Sequence, residues 1–228
     1  MAEQVLLYDT TLRDGMQGAG MSLSAGEKLR VAHALDGLGV HLVEAGFPAS
    51  NPKEEALFDL LGREVFEHAE IAAFGMTRRR EVAADQDEGL RVLAGCFAPV
   101  CTLVGKTWSL HLEKVTRVDP EENLRMISDS VAFLRGRGKR VVYDAEHFFD
   151  GWGDDPAYAL RCLQAAAGAG AAYVTLCDTN GATLPHEIEA ATAAVAASTA
   201  WGSEAPFVSH SVTQAAPASA AARTHCSA

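Results

Sequence analysis

A chain of 228 residues is long enough for one sizeable core, and 48% hydrophobic residues mark it as soluble and globular. Its 19 Lys and Arg stand against 30 Asp and Glu, a net charge of -11 that repels nucleic acid and anionic membrane. No apolar run reaches about 18 residues, and "MAEQVLLYDTT" has neither a basic n-region nor a long apolar stretch, so a cytoplasmic location is expected.

Short β-rich runs recur along the chain: "VLLYD" from Val5, "VHLVEAG" from Val40, "EIAAFGM" from Glu70, "APVCTLVG" from Ala98, "RVVYDAE" from Arg140 and "AAYVTLCD" from Ala171. A seventh is possible at "PFVSH", and no eighth is visible. A helical stretch follows each clear strand. The first helix opens with Ser24 and Glu27 at capping-box spacing and carries an apolar stripe of Leu29, Ala32, Leu35 and Leu38. Later starts place Asn51, Asp119 and Asp155 as N-caps before a proline at the first helical position.

Strands alternating with helices imply right-handed βαβ units and a parallel sheet. An open dinucleotide-binding sheet wants G-x-G-x-x-G after its first strand, and "TTLRDGMQGAGMS" does not supply it. A (β/α)8 TIM barrel instead places polar residues at the C-terminal ends of many strands, where the βα loops build one mouth. That is the pattern here, with Arg13 and Asp14, Glu44, Thr77 and Arg78, Lys106, Asp144 and Glu146, and Asp178 and Thr179 after successive strands. A complete barrel takes about 250 residues and eight strands, so an incomplete α/β barrel of six to seven units is expected. Carboxylates at such a mouth offer hard oxygen ligands or a base, and an arginine holds a carboxylate or an oxyanion.

The five cysteines show no C-x-x-C pair and sit mostly among apolar neighbours, which reads as small core residues in a reducing compartment. His33, His41, His68 and His111 lack ligand spacing and read as ordinary helix or surface residues. His147 follows Glu146, and strand alternation assigns it packing or support, not a place in the pocket. Arg78 to Arg80 read as a solvated face, with CoA phosphates as the alternative.

Five blocks carry a family resemblance across about residues 5 to 190: "YDTTLRDGMQ", "EAGFPASNPKE", "GKTWSLHLEKV", "YDAEHFFDG" and "LCDTNGATLPHEIE". Together they resemble the Claisen-condensing barrel enzymes related to 2-isopropylmalate, homocitrate and citramalate synthases, most closely the citramalate branch. The resemblance implies condensation of acetyl-CoA with pyruvate, helped by a divalent metal (Mn2+, Mg2+ or Zn2+) acting as a Lewis acid on the keto acid. It matches Asp14 to the metal aspartate, Arg13 to the arginine that steadies charge on the reacting oxygens, Glu146 to the base machinery and Thr179 to a contact with the keto acid carboxylate. It also implies a homodimer. A larger 2-keto acid, an aldol-type lyase reaction, or a non-catalytic fragment that partners an intact homologue are the rival readings.

The resemblance also implies a His-x-His pair followed by Asn-Asp on strand seven. Aligned on Pro206, His210 falls on the first histidine, while Val212, Thr213 and Gln214 replace the rest. From Pro206 to Ala228 there is no Gly, Asp, Glu, Lys, Leu or Ile. The expected organisation is therefore a partial catalytic barrel over 1–205 and an aberrant, weakly ordered tail over 206–228, arising from a shifted reading frame or a natural short form.

Overall fold

The computed structural model describes residues 5–198 and the backbone of 207–210. Seven strands form one sheet: β1 (Tyr8–Asp9), β2 (Leu42–Gly46), β3 (Glu70–Met76), β4 (Val100–Lys106), β5 (Arg140–Glu146), β6 (Tyr173–Cys177) and β7 (Phe207–His210). Every neighbouring pair is parallel and the spatial order is β1 to β7 without reversal. A doubly wound sheet reverses its strand order at a switch point, whereas a barrel winds steadily in one direction, so this is an open, incompletely closed barrel. Among the described residues β1 and β7 are its two edges.

The helices are α1 (Ala25–Gly37), α2 (Pro52–Leu61), α3 (Glu88–Gly95), α4 (Ser109–His111), α5 (Pro120–Gly136), α6 (Phe148–Asp154), α7 (Pro156–Gly168) and α8 (Pro185–Ala197). Their starts follow the chemistry legible in the chain. Ser24 and Glu27 form a reciprocal capping box, and Asn51, Asp119 and Asp155 accept from Glu54, Glu122 and Tyr158 amides at 3.1, 2.7 and 3.0 Å. Each satisfies an amide the helix itself cannot pair.

One apolar layer lies between sheet and helices, built from Val43, Leu103, Val141, Tyr143 and Leu176 against Leu57, Leu90, Ile127, Leu134 and Leu163. A second, smaller cluster of Leu42, Ala72, Val100 and Val142, with Tyr8 and Tyr173, fills the floor of the barrel interior. Opposite faces of each strand serve the two clusters, as a period of two requires.

Two expectations are corrected. The first strand pairs only over Tyr8–Asp9, with Val5 78% exposed. Leu38 leaves the apolar stripe of α1: it caps the helix C-terminus and is 77% exposed. The core reading of the cysteines holds for three of the four described, Cys96 being half-buried. Cys101, Cys162 and Cys177 are buried, and burial pushes the Cys101 and Cys162 thiols up to about 12, which leaves them unreactive. Cys226 and the tail over 206–228, apart from the backbone of β7, lie outside the described residues. No helix among the described residues is long and apolar enough to cross a membrane.

Candidate active site

The stretch "DTTLRDG" folds into a turn that returns charge to the barrel mouth. Asp9 accepts from the Thr11 amide at 2.9 Å, while the Thr10 carbonyl collects the amides of Arg13, Asp14 and Gly15 at 3.1, 2.8 and 3.1 Å. Leu12, fully buried, anchors the turn in the apolar layer. Arg13 is thereby held over the interior, its guanidinium carbon 4.0 Å from the centre of the Phe74 ring.

Three interactions fix that guanidinium. Nε donates to Glu44 Oε1 at 2.5 Å, Nη1 donates to Asp14 Oδ1 at 3.0 Å, and the ring of Phe74 covers one face. Glu44 is completely buried in the middle of β2, not at its end as its sequence suggested, and also accepts from the Tyr8 hydroxyl, which lies 2.5 Å from Thr102 Oγ1. A buried carboxylate is tolerated only when paired and hydrogen-bonded in this way. Burial works against the charge on Arg13, but Glu44 overrides it and the guanidinium is held more firmly protonated than usual.

Asp144 lies on β5 within the same charge cluster. Burial, then the nearby Glu44 charge, lift its carboxyl to about 7, against the pull of Arg13 and a hydrogen bond with Thr175. Nearer the rim, Lys106 of β4 forms an ion pair with Glu146 of β5, the two residues being directly opposite in the strand register. Asn123 of α5 holds the Lys106 carbonyl at 2.8 Å, so the strand end is braced from behind.

His147 adopts a left-handed backbone (φ 54°, ψ 37°) immediately after β5. Its amide donates to Thr179 Oγ1 at 2.9 Å, and its Nδ1 lies 2.9 Å from Asp150 Oδ2, which also accepts from Asn180 at 3.0 Å. The His111 ring meets it edge-on at 4.5 Å and Trp108 lies at 5.8 Å. His111 is thus part of the mouth and not the ordinary helix or surface residue its spacing suggested. Its Nδ1 is buried without a hydrogen-bond partner among the described residues, and burial, reinforced by His147 and Lys106, lowers its pKa.

Of the residues assigned from sequence, Arg13 and Asp14 are brought into contact, and the His147 amide joins the segment that carries Glu146 to Thr179. Two others do not join the mouth. Arg78 is buried in ion pairs with Glu122 at 2.8 Å and Asp129 at 2.9 Å, so the solvated-face reading fails for it while Arg79 and Arg80 are exposed. Asp178 closes its own loop by accepting from the amide and hydroxyl of Thr183 at 3.2 and 2.9 Å. His210 lies beside Cys177 in the β6 and β7 register, and its side chain is outside the described residues.

Sequence reasoning placed Glu44 and Asp144 at strand ends without a task, and gave Tyr8 and Lys106 no place among the site residues. The available signal was position: Glu44, Thr102, Asp144 and Thr175 are polar residues in the interior of strands whose other charged residues stand only at the strand ends. Among the described residues, no three His, Cys, Asp or Glu side chains converge as a metal-binding group.

The family described as HMGL-like matches residues 4–225 of the chain. The (R)-citramalate synthase of Geobacter sulfurreducens is 48% identical over 184 residues, covering 81% of this chain and 35% of that protein. The 2-isopropylmalate synthase of Stenotrophomonas maltophilia is 34% identical over 187 residues, covering 82% and 34%. The hydroxymethylglutaryl-CoA lyase structure from Pseudomonas aeruginosa superposes with a TM-score of 0.71 at 18% identity, over 91% of this chain and 67% of that one, a likeness of fold alone. The chain spans about a third of the length of the synthases it matches. A parallel sheet wound in barrel order, an arginine and aspartate on the first βα turn, and a family match across nearly the whole sequence converge: the chain belongs to the HMGL-like family, in the group that contains the citramalate and 2-isopropylmalate synthases.

Proposed function

We propose that the chain carries the keto-acid half of the active site of an acyltransferase that condenses acetyl-CoA with pyruvate to give citramalate and CoA. The observation that carries the reaction class is the Arg13 guanidinium, fixed by Glu44 beside Asp14 at the mouth. The choice of keto acid rests on the higher identity to a citramalate synthase, 48% against 34% for a 2-isopropylmalate synthase.

In this reading Arg13 steadies negative charge on the keto acid oxygens, and Thr179 donates its hydroxyl to the keto acid carboxylate. Glu146, paired with Lys106, takes a proton from the acetyl methyl. The resulting enolate carbon bonds to the keto carbon, whose oxygen takes up a proton; water then cleaves the thioester and CoA leaves as the thiol. Family membership supports a divalent cation in the complete enzyme; bound there it would supply Lewis acidity, and Asp14 is the described residue that would help to hold it. His210 is the proposed second ligand.

A chimera tests the assignment. Residues 1–205 joined to the remaining length of the Geobacter sulfurreducens synthase are expected to release CoA thiol with pyruvate faster than with a branched 2-keto acid. Faster turnover of the branched acid would favour the 2-isopropylmalate reading.

A further inference from the structure

Three βα loops meet at one side chain. The loop after β4 brings Trp108 and His111 against the His147 ring, and Thr107 donates its hydroxyl to the Glu146 carbonyl. The turn after β5 contributes His147, whose Nδ1 is joined to Asp150 of α6. The loop after β6 contributes Thr179, which accepts the His147 amide, and Asn180, which donates to Asp150. Gly151 lets α6 approach closely enough for this: a Cβ there would lie 2.5 Å from the Thr107 carbonyl oxygen.

The backbone of His147 is in the left-handed region, which strains a residue that carries a Cβ. A glycine would avoid that strain, and the contacts of the imidazole with Asp150, Trp108 and His111 offset it here. The consequence falls on Thr179. Because Oγ1 accepts the His147 amide, the hydroxyl proton is directed elsewhere and is available to an anion.

We propose that His147 is the positioning residue of the mouth: its ring, clamped by Asp150 and walled by Trp108 and His111, holds the left-handed turn whose amide orients Thr179 next to Glu146. The role in keto acid binding rests on the function proposed above, whereas the clamp stands on geometry alone.

The 228-residue chain, His147→Gly, His147→Asn and Asp150→Ala are compared by hydrogen exchange and by calorimetric titration with pyruvate. Asp150→Ala is expected to speed exchange of the His147 amide about tenfold, the worth of one hydrogen bond, while amides of β4 and β5 keep their protection. His147→Gly relieves the backbone, leaves thermal stability unchanged or raised, and weakens pyruvate about tenfold. His147→Asn tolerates the left-handed turn and offers Asp150 a donor, so it restores binding to within about threefold. Unchanged exchange in Asp150→Ala, or full pyruvate affinity in His147→Gly, overturns the proposal. If the unaltered chain binds no pyruvate while exchange behaves as expected, the clamp is upheld, and the keto acid role falls if His147→Gly also leaves the pyruvate KM of the chimera unchanged.

Discussion

Asp144 is one of three carboxylates, with Glu44 and Asp14, that share the single positive charge of Arg13. Its carboxyl is raised from the ordinary 3.8 to about 7 by burial and by Glu44. A raised carboxyl means that the folded state holds the proton more tightly than the unfolded one. Stability contributed by that proton is complete below about pH 3.8 and is lost as pH rises toward 7. Asp144→Asn removes the ionisation, so the substituted chain gains stability relative to the original between pH 4 and pH 8, as urea denaturation at several pH values will show. If the difference were flat across that range, the carboxyl would not titrate there. The candidates Arg13, Asp14, Glu146 and Thr179, whose roles are proposals, were nameable because they stand in recognisable blocks of sequence. The partners that hold them were not: Tyr8 reaches Glu44 across 36 positions and Thr102 across 94, and sequence spacing does not encode contacts that only barrel winding creates. His111 was misread for the same reason, since its neighbour His147 arrives from another strand end.

Elements were more readable than residues because their signals are local. Strand periodicity and Ser, Asn or Asp before a helix act within a few positions, and all four N-caps read from sequence are present. What escaped was the joining of one element to the next. Asp36, inside the last turn of α1, is buried and accepts the amides of Glu67, His68 and Ala69 at 3.0, 2.8 and 2.7 Å, fixing the entry to β3. Burial alone would raise its carboxyl, but the three donors outweigh burial and hold it below its ordinary 3.8. Its contribution is therefore full above the unfolded value and is lost as pH falls through the folded one. Asp36→Ala should cost about 2 to 4 kcal/mol near neutrality, from three charge-assisted hydrogen bonds and amides left without acceptors. The gap from the original chain should shrink below about pH 4; a gap that persists undiminished would assign the loss to packing.

At the scale of the molecule, the described residues form a sheet with two edges and a mouth that lacks a converging metal-binding group among them. The 228-residue chain alone should accordingly release CoA thiol from acetyl-CoA and pyruvate at a negligible rate in Mn2+ or Mg2+, measured by a thiol reagent. Robust release would show that β1 through β7 suffice. The strand order has a consequence for how such a chain is made. Each described strand pairs with the one synthesised just before it, so none of them waits for a distant partner before docking. On a ribosome, every βα unit that emerges finds its template already laid down, and the nascent barrel grows as a ribbon from its first edge. Arg13, Glu44 and Tyr8 are brought together once the second strand has docked, so the charge-holding corner of the mouth is assembled while most of the wall is still untranslated.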